Sequence, residues 1–457
     1  MNKFLNVLEG ILAPLAVKIG QNKYLIAIRD GFLISTPLLI IGSIFLLVAN
    51  FPIPQWDTWM SAILGENWAS LMSVPAAATF DVMTILAVVG IAYSMAKQEG
   101  TNAIQAAAVA LTIFFILTPF YTMYTPADTD IAYKVSSLPL GWMGSKGLFL
   151  GMIVAIVSVK MFTYFLNKGW TIKMPDGVPP AVTKSFEALI PAACVILPFF
   201  IINWLMSLTP YLNLQEFIFK FLQIPLLSLG NTLGAMVIAY LFLHFFWFFG
   251  INGGSVVGAV FNPVLRALAV ENLDAFQAGT ELPNIITSQF QDMFATFGGA
   301  GSTLSLILVM VLVCKSERIK ALSKLSLAPG IFGINEPIVF GLPIVLNPTI
   351  LIPFVLVPTI NIVVSYFAMA GGLVPYTNGI QVPWTTPIVV SGFLVSGWQG
   401  AVLQVLLLIV GMFVYYPFIR IIDKQYLQEE QELHAEHMKE KAAQETVEQV
   451  TEILIEE

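Results

Sequence analysis

The chain has 457 residues, of which 57% are hydrophobic and only 11% are charged. Soluble globular proteins carry about 25% charged residues, so this composition excludes an ordinary soluble protein and indicates a chain that lies mostly in a lipid bilayer. The net charge of −7 comes from residues 423–457, which hold eleven acidic and three basic side chains on a nearly neutral body. Because that body has no basic surface, nucleic acid is excluded as a partner.

The first 25 residues are amphipathic. Lys3, Glu9 and Lys18 fall where a signal peptide would have an uncharged core, and no small-residue cleavage site follows. We therefore expect residues 1–25 to form a helix on the cytoplasmic surface of the membrane.

Long uncharged stretches locate the membrane spans, each of which needs about 20 apolar residues. Residues 31–56, 100–127, 188–215 and 293–314 contain no charged side chain, and 221–265 is uncharged over 45 residues. These stretches predict an all-α integral membrane protein with about ten transmembrane helices plus re-entrant segments.

Clusters of lysine and arginine set the orientation, because loops rich in these residues stay cytoplasmic. The densest cluster lies at 315–324, a second lies at 168–184, and further basic residues flank the first and last spans. Both termini are therefore predicted to be cytoplasmic. The loop at 122–146, with two bases and two acids, is predicted to be external.

The character of the sequence changes near residues 170–185. The spans before this point are mostly uninterrupted, which suggests a scaffold or an oligomer contact. Gly, Pro and Asn break the spans after it, above all at 247–263 and 328–348, which share a Gly-Ile-Asn core. Irregular backbone at membrane depth survives only where it lines a cavity or is buried, and paired broken segments indicate a transporter's substrate site. Kinked packing helices are the simpler alternative.

Glu336 is the only charged residue between Lys324 and Arg420. An ionisable group in so much apolar sequence is costly unless it is paired or hydrated, so a functional role is expected. Proton coupling, binding of a sugar hydroxyl and general-base chemistry all fit a lone carboxylate. A helix cap at the cytoplasmic interface is the structural alternative.

His244 is the only histidine outside the acidic tail, and the aromatic residues around it favour a packed core residue. Tyr376 and Trp384 lie among Pro, Asn, Gln and Thr. Aromatic rings beside amides and hydroxyls suit a sugar, which offers apolar C–H faces and many hydroxyls. An aromatic belt at the membrane interface would explain the two rings equally well.

No cofactor and no metal site is predicted. The chain has no Gly-rich phosphate loop with Lys and Ser/Thr and no HExxH motif, and Cys194 and Cys314 lie in apolar runs without metal-ligand spacing. The acidic tail has helical composition without Gly or Pro, and we expect a solvated helix or a disordered segment.

Several segments together carry a resemblance to one family. They are the N-terminal NKFLNVLEGILAPLAVKIGQNKYL, then MPDGVPPAVTKSFEALIP, WFFGINGG, FGINEPIVFGLPIVLNP and VPWTTP. The chain resembles the membrane permease, enzyme IIC, of the phosphoenolpyruvate-dependent sugar phosphotransferase system, lactose/cellobiose/diacetylchitobiose type. The resemblance runs in order to about residue 420, and the block that contains INEP is its most specific part.

This resemblance implies a homodimer in the bacterial cytoplasmic membrane, with about ten spans and two re-entrant hairpins in each protomer. Residues 1–185 would form the scaffold and dimer interface, residues 186–422 would hold the sugar and move it as an elevator, and residues 423–457 would form an acidic cytoplasmic tail. The implied function is group translocation. A β-linked disaccharide such as cellobiose or diacetylchitobiose enters, and the phosphocysteine of a separate enzyme IIB, served by enzyme IIA, phosphorylates its 6-hydroxyl.

The resemblance also implies roles for individual residues. Glu336 would be the general base beside the 6-hydroxyl, Asn335 would hydrogen-bond the sugar, and Trp384 would stack on a pyranose ring. The chain departs from the family at Asn252, because relatives commonly have WFFGIHG where this chain has WFFGING. An Asn can hydrogen-bond the hydroxyl but cannot accept its proton.

Three explanations of this departure stay open. Glu336 removes the proton alone, or His244, about two helical turns before Asn252, supplies an imidazole, or the activity or substrate is altered. A different function also stays open on the residues alone, since a proton-coupled secondary sugar transporter would equally use Glu336 as its proton site.

Overall fold

The structure is a computed structural model that describes residues 18, 21–51, 55–126, 131–175, 177–248, 252–342, 344 and 347–456. Most of the helix predicted at residues 1–25 lies outside the described residues, which include only residues 18 and 21–25 of it. The described part is helical, as predicted, and also contains a β-hairpin that was not predicted.

The N-terminal half contains nine helices and two strands within its described residues: α1 (Lys23–Ala49), α2 (Trp56–Leu64), α3 (Trp68–Phe80), α4 (Met83–Gln98), α5 (Ala103–Ile116), β1 (Tyr121–Tyr124), β2 (Tyr133–Ser136), α6 (Leu140–Met143), α7 (Leu148–Asn167), α8 (Pro180–Glu187) and α9 (Leu189–Ser207).

The described C-terminal half contains α10 (Leu214–Ile218), α11 (Ile224–Gly230), α12 (Leu233–Phe248), α13 (Gly253–Gln277), α14 (Ser288–Phe290), α15 (Thr303–Val313), α16 (Glu317–Ile331), α17 (Glu336–Gly341), α18 (Pro348–Ala370) and α19 (Val390–Glu456).

Eight helical segments in the described chain are long and apolar enough to cross a membrane, against the ten or so predicted. A ninth is added if the segment Leu214–Gly230 and the segment Leu233–Trp247, which bend by 76° against each other, form one broken span. The chain is a membrane protein with many apolar helices.

The N-terminal half packs as a tight bundle because small residues lie where its helices cross. A Cβ on Gly31 of α1 would overlap Ile91 of α4, and a Cβ on Gly90 would overlap the Gly31 carbonyl. Close approach through glycine is the usual way in which membrane helices gain packing contacts.

An ion-pair cluster joins three helices at one end of this bundle. The Glu99 carboxylate lies 2.6 Å from the Lys23 Nζ and 3.4 Å from the Lys160 Nζ. The hydrogen bond from Lys23, with the added charge of Lys160, lowers the pKa of Glu99 below its ordinary value.

In the C-terminal half, α12 ends at Phe248 and α13 begins at Gly253, so the described part of the predicted break at 247–263 is helical except at Asn252. Helix α13 continues through Pro263 to Gln277. The start of α13 lies close to α12, since a Cβ on Gly253 would overlap the Leu243 carbonyl.

The last helix, α19, spans 67 residues and is broken at Ser396 and Gly397. At about 1.5 Å per residue it is far longer than the ~30 Å hydrocarbon core, so its C-terminal part leaves the bilayer. The predicted tail begins inside this helix, and its first turns are docked. The Asp423 carboxylate accepts hydrogen bonds from the amides of Lys315 and Ser316, each at 2.9 Å, just before α16 begins.

Candidate functional site

A tight turn between α16 and α17 presents the predicted base. Helix α16 ends at Ile331, Gly333 adopts φ +82°, and Asn335 caps α17, which begins at Glu336. The Asn335 carbonyl accepts hydrogen bonds from Ile338 and Val339. Those two side chains are buried, whereas Glu336 is exposed. The apolar residues of α17 thus anchor the helix and leave the carboxylate at the protein surface.

Trp384 lies against this turn. A Cβ on Gly333 would be 3.1 Å from Cε3 and Cζ3 of the Trp384 indole, so the ring packs directly on the bare Cα. The Trp384 side chain is 58% exposed, which leaves much of its surface open. The structure therefore places the Trp384 ring against Gly333, on the same turn that carries Asn335 and Glu336.

The irregular segment 371–389, which carries Trp384, is fixed by buried hydrogen bonds. The Thr287 and Thr377 hydroxyls lie 2.7 Å apart, and the Gln289 amide donates to the Gly379 carbonyl at 3.1 Å. These contacts hold the segment against α14 and the residue that precedes it, so the position of the ring depends on tertiary packing.

Asn335 is the buried member of the group, with 6% of its surface exposed. Its Nδ2 donates to the Ala300 carbonyl at 2.9 Å. A Cβ on Gly299 would overlap the Asn335 amide, so the glycine makes room for it. Sequence reasoning missed this loop at 297–303; its sequence FGGAGST, with three glycines in five residues, was the available signal.

His244 lies in the core and not at the surface. It is fully buried, its Nδ1 is 2.7 Å from the Tyr240 carbonyl, and its Nε2 accepts from the Gly301 amide at 2.9 Å. The ring also packs edge-on against Phe354. In this conformation both ring nitrogens are occupied.

Asn252 caps α13, with its Oδ1 accepting from the Ser255 amide at 2.9 Å. Its side chain is exposed. In the part of the chain that the structure describes, no hydrogen bond joins Asn252 to Glu336. The structure thus places Asn252 at the start of α13, and in the described part of the chain it makes no hydrogen bond to the proposed base.

The family profile "Phosphotransferase system, EIIC" matches residues 29–358 of this chain. The chain belongs to this family. It is therefore an EIIC, the membrane component of a sugar phosphotransferase system.

Two relatives and one solved structure are similar to this EIIC over nearly its whole length. It is 43% identical to the cellobiose-specific EIIC component of Geobacillus stearothermophilus, over 94% of this chain and 97% of the relative. It is 41% identical to the lichenan permease IIC component of Bacillus subtilis, over 95% and 96%. It is similar to the crystal structure of the transporter ChbC, the IIC component of an N,N′-diacetylchitobiose-specific phosphotransferase system, with a TM-score of 0.91, 42% identity, and coverage of 93% of this chain and 99% of that one.

This EIIC also contains a polar cluster that sequence reasoning missed. Arg266 of α13 donates to the Thr36 hydroxyl of α1 at 3.3 Å and lies 5.6 Å from the Phe32 ring centroid, so it joins the two halves. The Gln291 amide donates to the oxygens of Asn262 and Asp292, each at 3.4 Å. Arg266 and Asp292 directly flank the uncharged stretches 221–265 and 293–314. The spacing of Asn262 and Arg266 on one helical face was the available signal.

Proposed function

We propose that this EIIC carries a β-linked disaccharide inward and presents its 6-hydroxyl for phosphorylation by the phosphocysteine of an enzyme IIB. Support for the substrate class comes from the relatives, whose names specify cellobiose, lichenan, oligo-β-mannosides and N,N′-diacetylchitobiose. The sugars that these names specify all contain β-linked pyranose units.

The observation that carries the proposal is that one turn holds both the carboxylate and the contact for the ring. Glu336 lies three residues after Gly333, and the Trp384 indole packs on that glycine. In the proposed complex the exposed part of the indole stacks on a pyranose, which has apolar C–H faces. The sugar's hydroxyls then fall within reach of Glu336.

Glu336 acts as the general base in the proposed reaction. As the 6-hydroxyl oxygen attacks the phosphorus, the new O–P bond forms, the S–P bond of the enzyme IIB phosphocysteine breaks, and the hydroxyl proton passes to Glu336. In the proposed complex the Asn335 side-chain amide also hydrogen-bonds the sugar. Because its Nδ2 already donates to the Ala300 carbonyl, the side chain must shift slightly to reach the sugar. Because His244 is buried with both nitrogens engaged, we assign proton removal to Glu336 alone and hydroxyl binding to Asn252.

The assembly that we propose is a homodimer. Residues 1–185 form the scaffold and the dimer contact, residues 186–422 form the transport half, and residues 423–457 extend as the acidic tail. Both termini lie on the cytoplasmic side, where enzyme IIB, charged by enzyme IIA, docks. The sugar and the lipid bilayer are the other partners.

Glu336→Gln tests the base. In membrane vesicles supplied with phosphoenolpyruvate and the partner enzymes, we expect no phosphorylation of labelled cellobiose or diacetylchitobiose, with sugar binding within roughly tenfold of wild type, because the amide keeps the shape of the group and loses only the proton acceptor. Glu66→Gln, an exposed carboxylate of the N-terminal half, is the matched control and should be unchanged.

Two results would count against this proposal. Unchanged phosphorylation in Glu336→Gln removes Glu336 from the base role. Uptake by wild type that collapses with a proton uncoupler yet ignores phosphoenolpyruvate and the partner enzymes would instead support the proton-coupled transporter.

A further inference from the structure

His244 has an unusual set of contacts for a buried imidazole. It bridges the backbone of its own helix, α12, to a loop 57 residues away, through Tyr240 on one side and Gly301 on the other. The Gly301 amide can only donate, so Nε2 is the acceptor and Nδ1 carries the proton that is donated to the Tyr240 carbonyl. The ring is therefore held in one tautomer and one orientation.

The loop that His244 holds adopts left-handed backbone conformations. Gly298, Gly299, Gly301 and Ser302 all have positive φ, and at Ser302 the residue is not a glycine. Glycine adopts these conformations without strain, but a non-glycine residue such as Ser302 stays in this region only when surrounding contacts fix it, and such residues concentrate at functional sites.

Three side chains from outside the loop fix it. His244 accepts from the Gly301 amide at 2.9 Å, and the Tyr415 hydroxyl donates to the Gly301 carbonyl at 2.6 Å. The Asn361 amide donates to the Ser302 hydroxyl at 3.0 Å. Both polar groups of the Gly301 residue are thus satisfied by buried side chains.

The opposite side of this loop holds the proposed sugar site. The Ala300 carbonyl accepts from Asn335 at 2.9 Å, and Gly299 provides the space for the Asn335 amide. Asn335 is the cap of α17, and the next residue is Glu336. One continuous set of hydrogen bonds and peptide units therefore runs from His244 through Gly301 and Ala300 to the residue that precedes the base.

We propose that His244 is a positioning residue for phosphorylation, which acts by fixing the 298–302 loop and, through it, the orientation of Asn335 and Glu336. The proposal rests on the proposed function of Glu336. It assigns His244 no contact with the sugar and no proton transfer.

Three variants test these hydrogen bonds one at a time: two at His244 and one at Tyr415. His244→Asn keeps a donor for the Tyr240 carbonyl but is too short to accept from the Gly301 amide. His244→Gln extends an amide oxygen to about the reach of Nε2 and restores that acceptor. Tyr415→Phe removes the hydrogen bond to the same peptide group from the other side, with the ring in place. Thr118→Val, which removes from the N-terminal half a buried hydroxyl that accepts a 2.8 Å hydrogen bond from Gln215 of α10, controls for a general loss of stability.

The readouts are the turnover of sugar phosphorylation with saturating enzyme IIB and the sugar Kd on the full-length protein in nanodiscs. We expect turnover to fall about tenfold or more in His244→Asn and several-fold in Tyr415→Phe, with Kd within about threefold, because a misplaced base mainly affects the reacting geometry. His244→Gln should recover at least half of wild-type turnover, and Thr118→Val should match wild type.

The proposal is overturned if His244→Asn turns over at the wild-type rate, or if it loses binding and turnover in equal proportion and His244→Gln fails to restore them. If His244→Asn does not fold, Tyr415→Phe and His244→Gln decide on the same criteria. A wild-type protein that does not phosphorylate sugar with enzyme IIB would refute the proposed function instead, so the two failures are distinct.

Discussion

Gly333→Ala should weaken sugar binding, whereas Gly372→Ala should leave it unchanged. The two glycines have similar left-handed backbones, with φ +82° and +73°, so an added Cβ carries a similar strain of about 1–2 kcal/mol at either position. Only at Gly333 does the added Cβ meet a neighbour. It would lie 3.1 Å from two carbons of the Trp384 ring and 3.3 Å from the backbone carbonyl oxygen of Trp384, whereas at Gly372 nothing lies within 4 Å. Comparing the two variants therefore separates the effect of displacing the Trp384 indole from the effect of backbone strain.

The expected size of the effect follows from the contact distance. Carbon atoms pack best at about 3.5–4.0 Å, so the Trp384 ring must move by about half an ångström. Because the side chain is 58% exposed, the ring can tilt without disturbing the core. Loss of part of a stacking contact is worth about 1 kcal/mol, so we expect Kd to rise by roughly three- to tenfold.

Isothermal titration calorimetry on protein in nanodiscs measures this effect with cellobiose or diacetylchitobiose, whichever binds wild type. Thermal midpoints of the two variants check that backbone strain is matched. Wild-type affinity in Gly333→Ala, or an equal loss in both variants, would refute the stacking role of Trp384 and the reasoning from the turn.

Three further results are expected. Asn252→His should keep or raise phosphorylation in the coupled assay, because an imidazole can share proton transfer with Glu336; complete loss would mean that the pocket is built around the amide. Asp423→Ala should lower the thermal midpoint by several degrees, because the two backbone amides before α16 lose their charged acceptor. The loss of each hydrogen bond costs about 1–3 kcal/mol. A midpoint equal to that of Lys424→Ala, which changes an exposed neighbour, would contradict this. Glu99→Gln should be less stable than wild type at neutral pH. Since the folded pKa of Glu99 is lowered from its ordinary value of 4.5, its contribution is present above about pH 4.5 and is lost as the pH falls through the lowered pKa. Thermal midpoints of both proteins should therefore converge in acid, and a constant gap down to about pH 3.5 would exclude the ion pair as the cause.

The sequence by itself determined the class of protein and the residues of the broken segment. Uncharged stretches longer than a bilayer indicate membrane helices because charge is costly in hydrocarbon, and this signal is local. The same argument singled out Glu336, and Pro and Gly around it predicted an interrupted helix because both residues disfavour continuation of one. The family followed from motifs that are likewise contiguous in the chain.

Only the tertiary structure decided which residues meet. Asn335 contacts Ala300 across 35 residues, His244 contacts Gly301 across 57, and Arg266 contacts Thr36 across 230. Periodicity and composition describe one segment at a time and carry no information on pairing between segments. For this reason the loop at 297–303 went unnoticed and His244 could be seen only as an aromatic-flanked residue. Its hydrogen bonds became visible when distant backbone groups were placed beside it.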